Sequence, residues 1–517
     1  MGLSGCQGLD REQESSTAAS LAEKLSYDAA EQPDPIKSVV YVSGSWKDMG
    51  RQFAEKVPDA LKRYVTSNLS AAVASYGLDG ARELESAYLK HYEEHAPQLV
   101  ELYRGMAEEL NISYEDFMLG IISFHENPAA EEDAEAAESN ADRTAEGCST
   151  VAAWGEQSKD GNLIVGADWD SIGAESWYMP TVIAYPDDGN AFISESGFQG
   201  NLVMNEHGLV CAGSSGQNAA EDDTGMGIPV MTSQWLVAAT CSTVPEAQKA
   251  YLESYTTVYG DNASYHDLEG GHVVIEATKA HNATRASGDF GEKDYLIATN
   301  DFMTDEMQNS LLPAGSGYDD CRPRYWTEER VLLNAKGKAT ERTIADALAE
   351  TGFYADGAWT HDNWNLETGL NSPEAISPHY QNVMKAIAVP EEDAYYVMNG
   401  CVNKEVSLLP DATGTYVQVK LCASPAESAA AARETANGLI FDAGSRIAHA
   451  DDPQNAAKAS LNAAKQAQIE GDNLTSQAGV ADGKQAQALL GKAATAYLRV
   501  QSHAQEALGD NQAVLDR

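Results

Sequence analysis

Gly147-Cys148-Ser149-Thr150-Val151-Ala152-Ala153-Trp154, the turn Lys159-Asp160-Gly161-Asn162, and Leu163-Ile164-Val165-Gly166-Ala167-Asp168-Trp169-Asp170 form the stretch from which the rest of the chain is read. Two short apolar runs flank a glycine-containing turn, the pattern of a β-hairpin. Upstream, Asn127 to Glu146 is rich in Ala, Glu and Asp, with Pro128 at its start and almost no large apolar residue. Such a segment cannot bury enough surface to order itself, so the expectation is a mobile, exposed loop leading to Gly147-Cys148. The bond there is accessible, and glycine gives the backbone room. If it breaks, Cys148 becomes an N-terminus whose α-amino group, with a pKa near ~8, is a base for its own thiol. The plainer alternative is a small core residue at the start of a strand, the usual fate of a free cysteine.

Outward from the hairpin, Thr181-Val182-Ile183-Ala184-Tyr185, Ala191-Phe192-Ile193-Ser194 and Gly208-Leu209-Val210-Cys211 continue the series of short strands. A helix is expected near Ser233 to Leu252, strands at His272 to Ile275 and Tyr295 to Ala298, helices over Thr327 to Leu333 and Thr343 to Leu348, and closing strands at Tyr395 to Met398 and Tyr416 to Leu421. Ser38 to Phe124 reads as mostly helical, with an amphipathic stretch from Trp46 to Ala54 and Leu99, Leu102, Tyr103, Met106 and Leu110 on one helical stripe. Asn111 ends that helix and Ser113 caps the next, with Asp116 three residues on. Strands, helices and strands again fit a layered α+β, αββα sandwich, which periodicity alone does not choose over other α+β layouts. The expected organisation is a flexible tail over 1–37, a helical part with the acidic loop over 38–147, the core over 148–424, and an Ala-rich helical appendage over 425–517.

Cys148-Ser149-Thr150-Val151 through Gly166-Ala167-Asp168-Trp169-Asp170 resembles the Ntn-hydrolase superfamily, in particular isopenicillin-N acyltransferase and the autoproteolytic linear-amide hydrolases, with choloylglycine hydrolases as cousins. Asn205-Glu206-His207-Gly208-Leu209 with Ala212-Gly213, then Ala298-Thr299-Asn300, then Arg322-Pro323-Arg324-Tyr325 resemble further family elements in the same order. The likeness runs from about Val42 to Val419. It implies the four-layer Ntn sandwich, with Cys148 as nucleophile, Asp170 holding its ammonium, Asn300 donating an N–H to the oxyanion, and Arg324 supplying fixed positive charge. Ala167 stands where choloylglycine hydrolases keep an arginine, which argues against a bile-salt substrate. Ser215 occupies the place of a second oxyanion asparagine, with Asn218 as a substitute slightly downstream. Taken one at a time, Asp170, Asn300 and Arg324 are better read as a turn cap, a turn residue and a surface ion pair, roles common for these residue types. Their order after Gly147-Cys148 favours the site.

Composition sets the outer limits. The chain has 517 residues, 79 acidic against 34 basic for a net charge of -45, and 43% hydrophobic residues, enough for a sizeable core. Such acidity repels phosphate backbones, so nucleic acid is not an expected partner. No run approaches the ~18 apolar residues of a membrane helix. The seven cysteines include no CxxC pair, which speaks against a zinc site or a disulfide scaffold. No cofactor is implied, and no P-loop or dinucleotide fingerprint follows a strand. Leu3-Ser4-Gly5-Cys6 reads like the end of a bacterial lipoprotein signal, although the charged and apolar regions that should precede it are absent. A lipid on Cys6 and an extracytoplasmic location are therefore expectations alongside a chance match. The expected activity is self-processing cleavage of a linear C–N amide in an N-acyl amide or short peptide, the two fragments staying associated. Acyl transfer to an amine is the first alternative, and an inactive anchored binding protein of the same fold is the second.

Overall fold

A computed structural model of the protein describes residues 36–121, 147–170, 179–216, 226–256, 260–311, 321–350, 353–355, 358–360, 382–399, 414–450 and 455–517. The tail with Cys6, the acidic loop from Asn127 to Glu146 and Asn218 lie outside the described residues.

Two sheets stack face to face. The eight-stranded sheet holds β1 (Val39–Gly44), β4 (Thr181–Pro186), β5 (Phe192–Ser194), β6 (Leu202–Asn205), β7 (Val210–Ser215), β8 (Asp261–His266), β9 (His272–Ala277) and β10 (Asn282–Ala286), in that spatial order. The six-stranded sheet runs β11 (Tyr295–Ala298), β2 (Gly147–Ala153), β3 (Ile164–Asp170), β14 (Asn382–Val389), β15 (Ala394–Asn399) and β16 (Thr415–Lys420). A small hairpin, β12 (Phe353–Ala355) with β13 (Ala358–Thr360), stands apart from both. Strand alternation sorts the side chains into layers. Ala152, Val165 and Ala167 meet Ile183, Leu202, Val210 and Ala212 between the sheets. Val151, Ala153 and Ile164 face helices on the outer side of the six-stranded sheet.

On the outer face of the eight-stranded sheet lie α1 (Trp46–Lys56), α2 (Pro58–His95), α3 (Pro97–Glu109), α4 (Tyr114–Leu119), α5 (Val230–Thr240) and α6 (Val244–Ser254). α1 and α3 cross at two glycines: a Cβ on Gly50 would meet Leu102 O at 2.0 Å, and one on Gly105 would meet Lys47 O at 2.1 Å, so only glycine lets the backbones approach. The Ser113 cap forms as read, its Oγ accepting the Asp116 N–H at 3.0 Å after Asn111 turns at φ 55. On the opposite outer face, α7 (Cys321–Asn334) and α8 (Glu341–Ala347) pack with α9 (Pro425–His449), α10 (Asn455–Ala478) and α11 (Gly483–Leu508). The whole is the αββα sandwich.

Three expectations change. The N-terminal part opens with a strand rather than a helix: Val39 to Val42 are buried, and β1 pairs in parallel with β4. Buried on both faces, that run lacks alternation and gives no periodic signal. The single helix near Ser233 to Leu252 is two, because Pro245 cannot continue a helix and the chain breaks after Thr240. The C-terminal segment, read as an appendage, is integral to the stack. Val39 N–H donates to Thr495 Oγ1 at 3.0 Å, on the edge strand of one sheet. Gln501 accepts the Gln418 N–H at 2.7 Å and donates to its carbonyl at 3.0 Å, on the edge strand of the other. α11 thus covers one edge strand of each sheet with a side-chain amide and a hydroxyl, and buries Leu498 between the sheets.

Candidate active site

Cys148 is the second residue of β2, opposite Trp169 of β3, and buried. Alternation puts it with Thr150 and Ala152, on the side facing the other sheet. Groups from three other elements hold its backbone. Its N–H donates to Asn300 Oδ1 at 2.9 Å. Its carbonyl accepts Arg324 Nη1 at 2.6 Å. The next N–H, of Ser149, donates to Asp168 Oδ1 at 2.8 Å. The peptide between Cys148 and Ser149 is therefore gripped at both ends by charged side chains, the stronger class of hydrogen bond.

Asn300 reaches the cysteine because β11 pairs with β2 as far as Ala298 opposite Thr150, and two further residues carry the chain to the level of Cys148. Its oxygen also accepts Arg324 Nη2 at 3.0 Å, and its nitrogen donates to the Ser215 carbonyl at 2.8 Å. One of the two side-chain N–H groups is thus engaged with β7, and the side-chain oxygen is what meets Cys148. Ser214 Oγ and Asn262 Nδ2 both donate to Thr299 O, at 2.7 and 2.8 Å, fixing the residue before Asn300 to the opposite sheet. Asp261, the register partner of Ser215, is fully buried; burial pushes its carboxyl well above the ordinary range while it accepts from the Tyr251 hydroxyl at 2.8 Å.

The two arginines of Arg322-Pro323-Arg324 divide their work. They sit in the first turn of α7, where Pro323 costs no intrahelical bond. Arg322 pairs with Asp301 at 2.6 Å. Arg324 points to the site, where it also touches Ser149 Oγ at 3.2 Å and Cys321 Sγ at 3.6 Å. Asp170 ends β3 opposite Gly147, and its side chain lies outside the described residues. The aspartate seen at the site is Asp168, two positions earlier, whose carbonyl also accepts Asn201 Nδ2 at 2.6 Å. Ser215 contributes its backbone carbonyl.

The structure thus brings Cys148, Asn300 and Arg324 together, and adds Asp168, Ser214 and Asn262, which the sequence reading missed. Asp168 lies in the same motif, two positions before the aspartate that the resemblance points to. Asn262 sits in a strand with no β-branched residue, Asp261-Asn262-Ala263-Ser264-Tyr265-His266, which gives no strand signal. The Asn205-Glu206-His207-Gly208-Leu209 element proves architectural in its contacts. Asn205 Oδ1 accepts the N–H groups of His207 and Leu209, both at 3.0 Å, and its nitrogen donates to Ala238 and Cys241 carbonyls at the end of α5. His207 is exposed in the turn.

Residues 158–316 match the family model described as acyl-coenzyme A:6-aminopenicillanic acid acyl-transferase. The acyltransferase match agrees with the resemblance read from motif order. It contains Asp168, Asp170, the Asn205 element and Asn300, and leaves Cys148 and Arg324 just outside its ends. Among solved structures, a mutant conjugated bile acid hydrolase from Clostridium perfringens is similar at 16% identity over 48% of this chain and 88% of that chain, with a TM-score of 0.29. No curated protein matches the chain. No helix among the described residues is long and apolar enough to cross a membrane.

Proposed function

We propose that the protein is a cysteine amidohydrolase of the Ntn type that cleaves its own Gly147–Cys148 bond and then a linear C–N amide, in an N-acyl amide or short peptide, through an acyl-enzyme on Cys148. The observation that carries this reading is the grip on the Cys148 backbone, with its N–H on Asn300 Oδ1 and its carbonyl on Arg324. Strand residues ordinarily bond to neighbouring strands. Here side chains take over at the point where the processed chain would begin, so a free amine there is held in place before it exists.

In maturation the Cys148 thiol adds to the Gly147 carbonyl carbon, the C–N bond to Cys148 breaks, and water hydrolyses the thioester to a Gly147 carboxylate. In turnover the α-amine takes the thiol proton, the thiolate adds to the substrate carbonyl, and the proton passes to the leaving amine. Water then releases the acid. Asn300 Oδ1 orients the amine, Arg324 places positive charge beside the reacting sulfur, and Asp170 is the proposed holder of the ammonium. Asn300 Nδ2 keeps one N–H on the Ser215 carbonyl and has a second N–H to offer an oxyanion.

Acyl transfer is the second reading, favoured by the family description, which names an acyl-transferase. The acyl-enzyme then passes to an amine in place of water. Incubating the processed protein with a panel of N-acyl amides, with and without added amines, and following acid and new amide by mass spectrometry separates the two. Activity retained in Cys148→Ala defeats both.

The two fragments are proposed to stay together, since the first supplies β1 to the eight-stranded sheet through six residue pairs with β4. Lipid attachment at Cys6 and an extracytoplasmic location are proposed from Leu3-Ser4-Gly5-Cys6 alone. Labelling of expressing cells with a fatty-acid probe, lost in Cys6→Ala, tests them.

A further inference from the structure

We propose that the buried charge cluster Glu276–Arg285–Glu292 positions Asn300 for the reaction at Cys148; this rests on the reading of Cys148 given above. Arg285 on β10 donates Nε to Glu276 Oε1 of β9 at 3.1 Å, and Nη1 to Glu292 Oε1 and Oε2 at 2.8 and 2.7 Å. All three side chains are buried. A buried ion cluster of this kind adds little net stability over an apolar trio of similar volume, so its use is sought in what it holds.

What it holds is the backbone on either side of Asn300. Upstream, the Ile297 N–H donates to Glu292 Oε1 at 3.1 Å, and the Ile297 carbonyl accepts from Arg285 Nη2. Downstream, Glu276 accepts the N–H groups of Met303 at 2.7 Å and Thr304 at 2.9 Å, and the Thr304 hydroxyl at 2.7 Å. β9 and β10 belong to one sheet and Ile297 to the other, so the cluster ties the sheets together across the segment that carries Asn300. Between these anchors, Asn300 has no regular strand partner and meets Cys148 through one side-chain oxygen at 2.9 Å. Small errors in such a reach are costly, because misplacement by about 1 Å lowers rates up to ~10²-fold. Glu276, Arg285 and Glu292 are positioning residues that act through Asn300.

The test uses the full chain. Glu276→Gln keeps the side-chain shape and removes the charge; Thr304→Val removes one bond to Glu276 and no charge. Cleavage rate at Gly147–Cys148, kcat, KM and Tm are measured for each variant, in the wild-type and the Asn300→Ala backgrounds. The expected result is cleavage and kcat lowered about 10-fold in Glu276→Gln, with KM within about twofold. In the Asn300→Ala background that loss disappears, because it runs through the missing side chain. A folded Glu276→Gln with wild-type kcat, or the same fractional loss in both backgrounds, overturns the proposal. If Glu276→Gln does not fold, Thr304→Val carries the same comparison with a several-fold loss. If the wild type is never cleaved, the reading of Cys148 fails on its own account. The cluster is then judged by hydrogen exchange at the Cys148 amide: faster exchange in Thr304→Val supports it and unchanged exchange overturns it.

Discussion

Asn300 presents its side-chain oxygen to Cys148 and its nitrogen to Ser215: the Cys148 N–H donates to Asn300 Oδ1 at 2.9 Å, and Asn300 Nδ2 donates to the Ser215 carbonyl at 2.8 Å. The amide is oriented by partners on both sides, with Arg324 on the same oxygen. An acceptor facing the cysteine nitrogen suits an amine that must be held and kept basic, and two variants separate this from an oxyanion role.

Asn300→Ala is expected to slow processing and lower kcat by about 10²-fold, with KM nearly unchanged. Asn300→Asp keeps an acceptor for the Cys148 nitrogen and loses the donor. It is expected to retain more of the processing rate than Asn300→Ala. Equal loss in the two variants, measured by cleavage rate and kcat, would return Asn300 to the oxyanion role.

Cys148→Ala is expected to stay one chain on a denaturing gel, while the wild type yields fragments 1–147 and 148–517. On native size exclusion the wild-type fragments are expected to elute together, because β1 is built into the sheet of the second fragment. A wild type that remains intact while hydrolysing amides would remove self-processing from the proposal.

Arg324→Lys keeps the charge and loses the fork. One guanidinium here reaches both the Cys148 carbonyl and Asn300 Oδ1, a geometry that an ammonium point charge does not reproduce. We expect kcat to fall about 10²-fold with a Tm close to wild type. A normal kcat would make Arg324 a structural ion only.

Acid should weaken the fold through the pair His266 and His272, which face each other across β8 and β9, with Trp154 stacked on His272 at 3.8 Å. Burial pushes both imidazoles down, His272 to about 4 and His266 well below its ordinary value. The unfolded chain therefore binds more protons once the pH drops below about 6.5, and stability present above that value is lost as pH falls through the folded pKa. His272→Gln is expected to flatten the fall in Tm between pH 7 and 4.5. An unchanged slope would assign the acid sensitivity elsewhere.

Gln501→Ala should destabilise the protein by about 2–4 kcal/mol, since it leaves the Gln418 N–H and carbonyl unpaired in a buried setting at ~1–3 kcal/mol each. Urea unfolding measures this, and a loss below the cost of one such group would mean that α11 only lies over the sheet edge.

By itself, the sequence determined the hairpin around Cys148, the Ser113 cap and the layered α+β architecture, because each is a local pattern of apolar spacing, turn residues or capping side chains. It also brought Asn300 and Arg324 into one proposal with Cys148 through motif order. Other features needed the tertiary structure. β1 is buried on both faces, so no alternation marks it. The Ala-rich C-terminal helices looked peripheral because their value lies in Thr495 and Gln501 meeting strand edges more than 80 residues away in sequence, at Gln418, and farther still at Val39. Which atom of Asn300 meets the cysteine, and that Asp168 grips the adjoining peptide, are matters of hydrogen-bond direction. Residue type leaves such directions open, and packing decides them only when every donor and acceptor around the site has been placed.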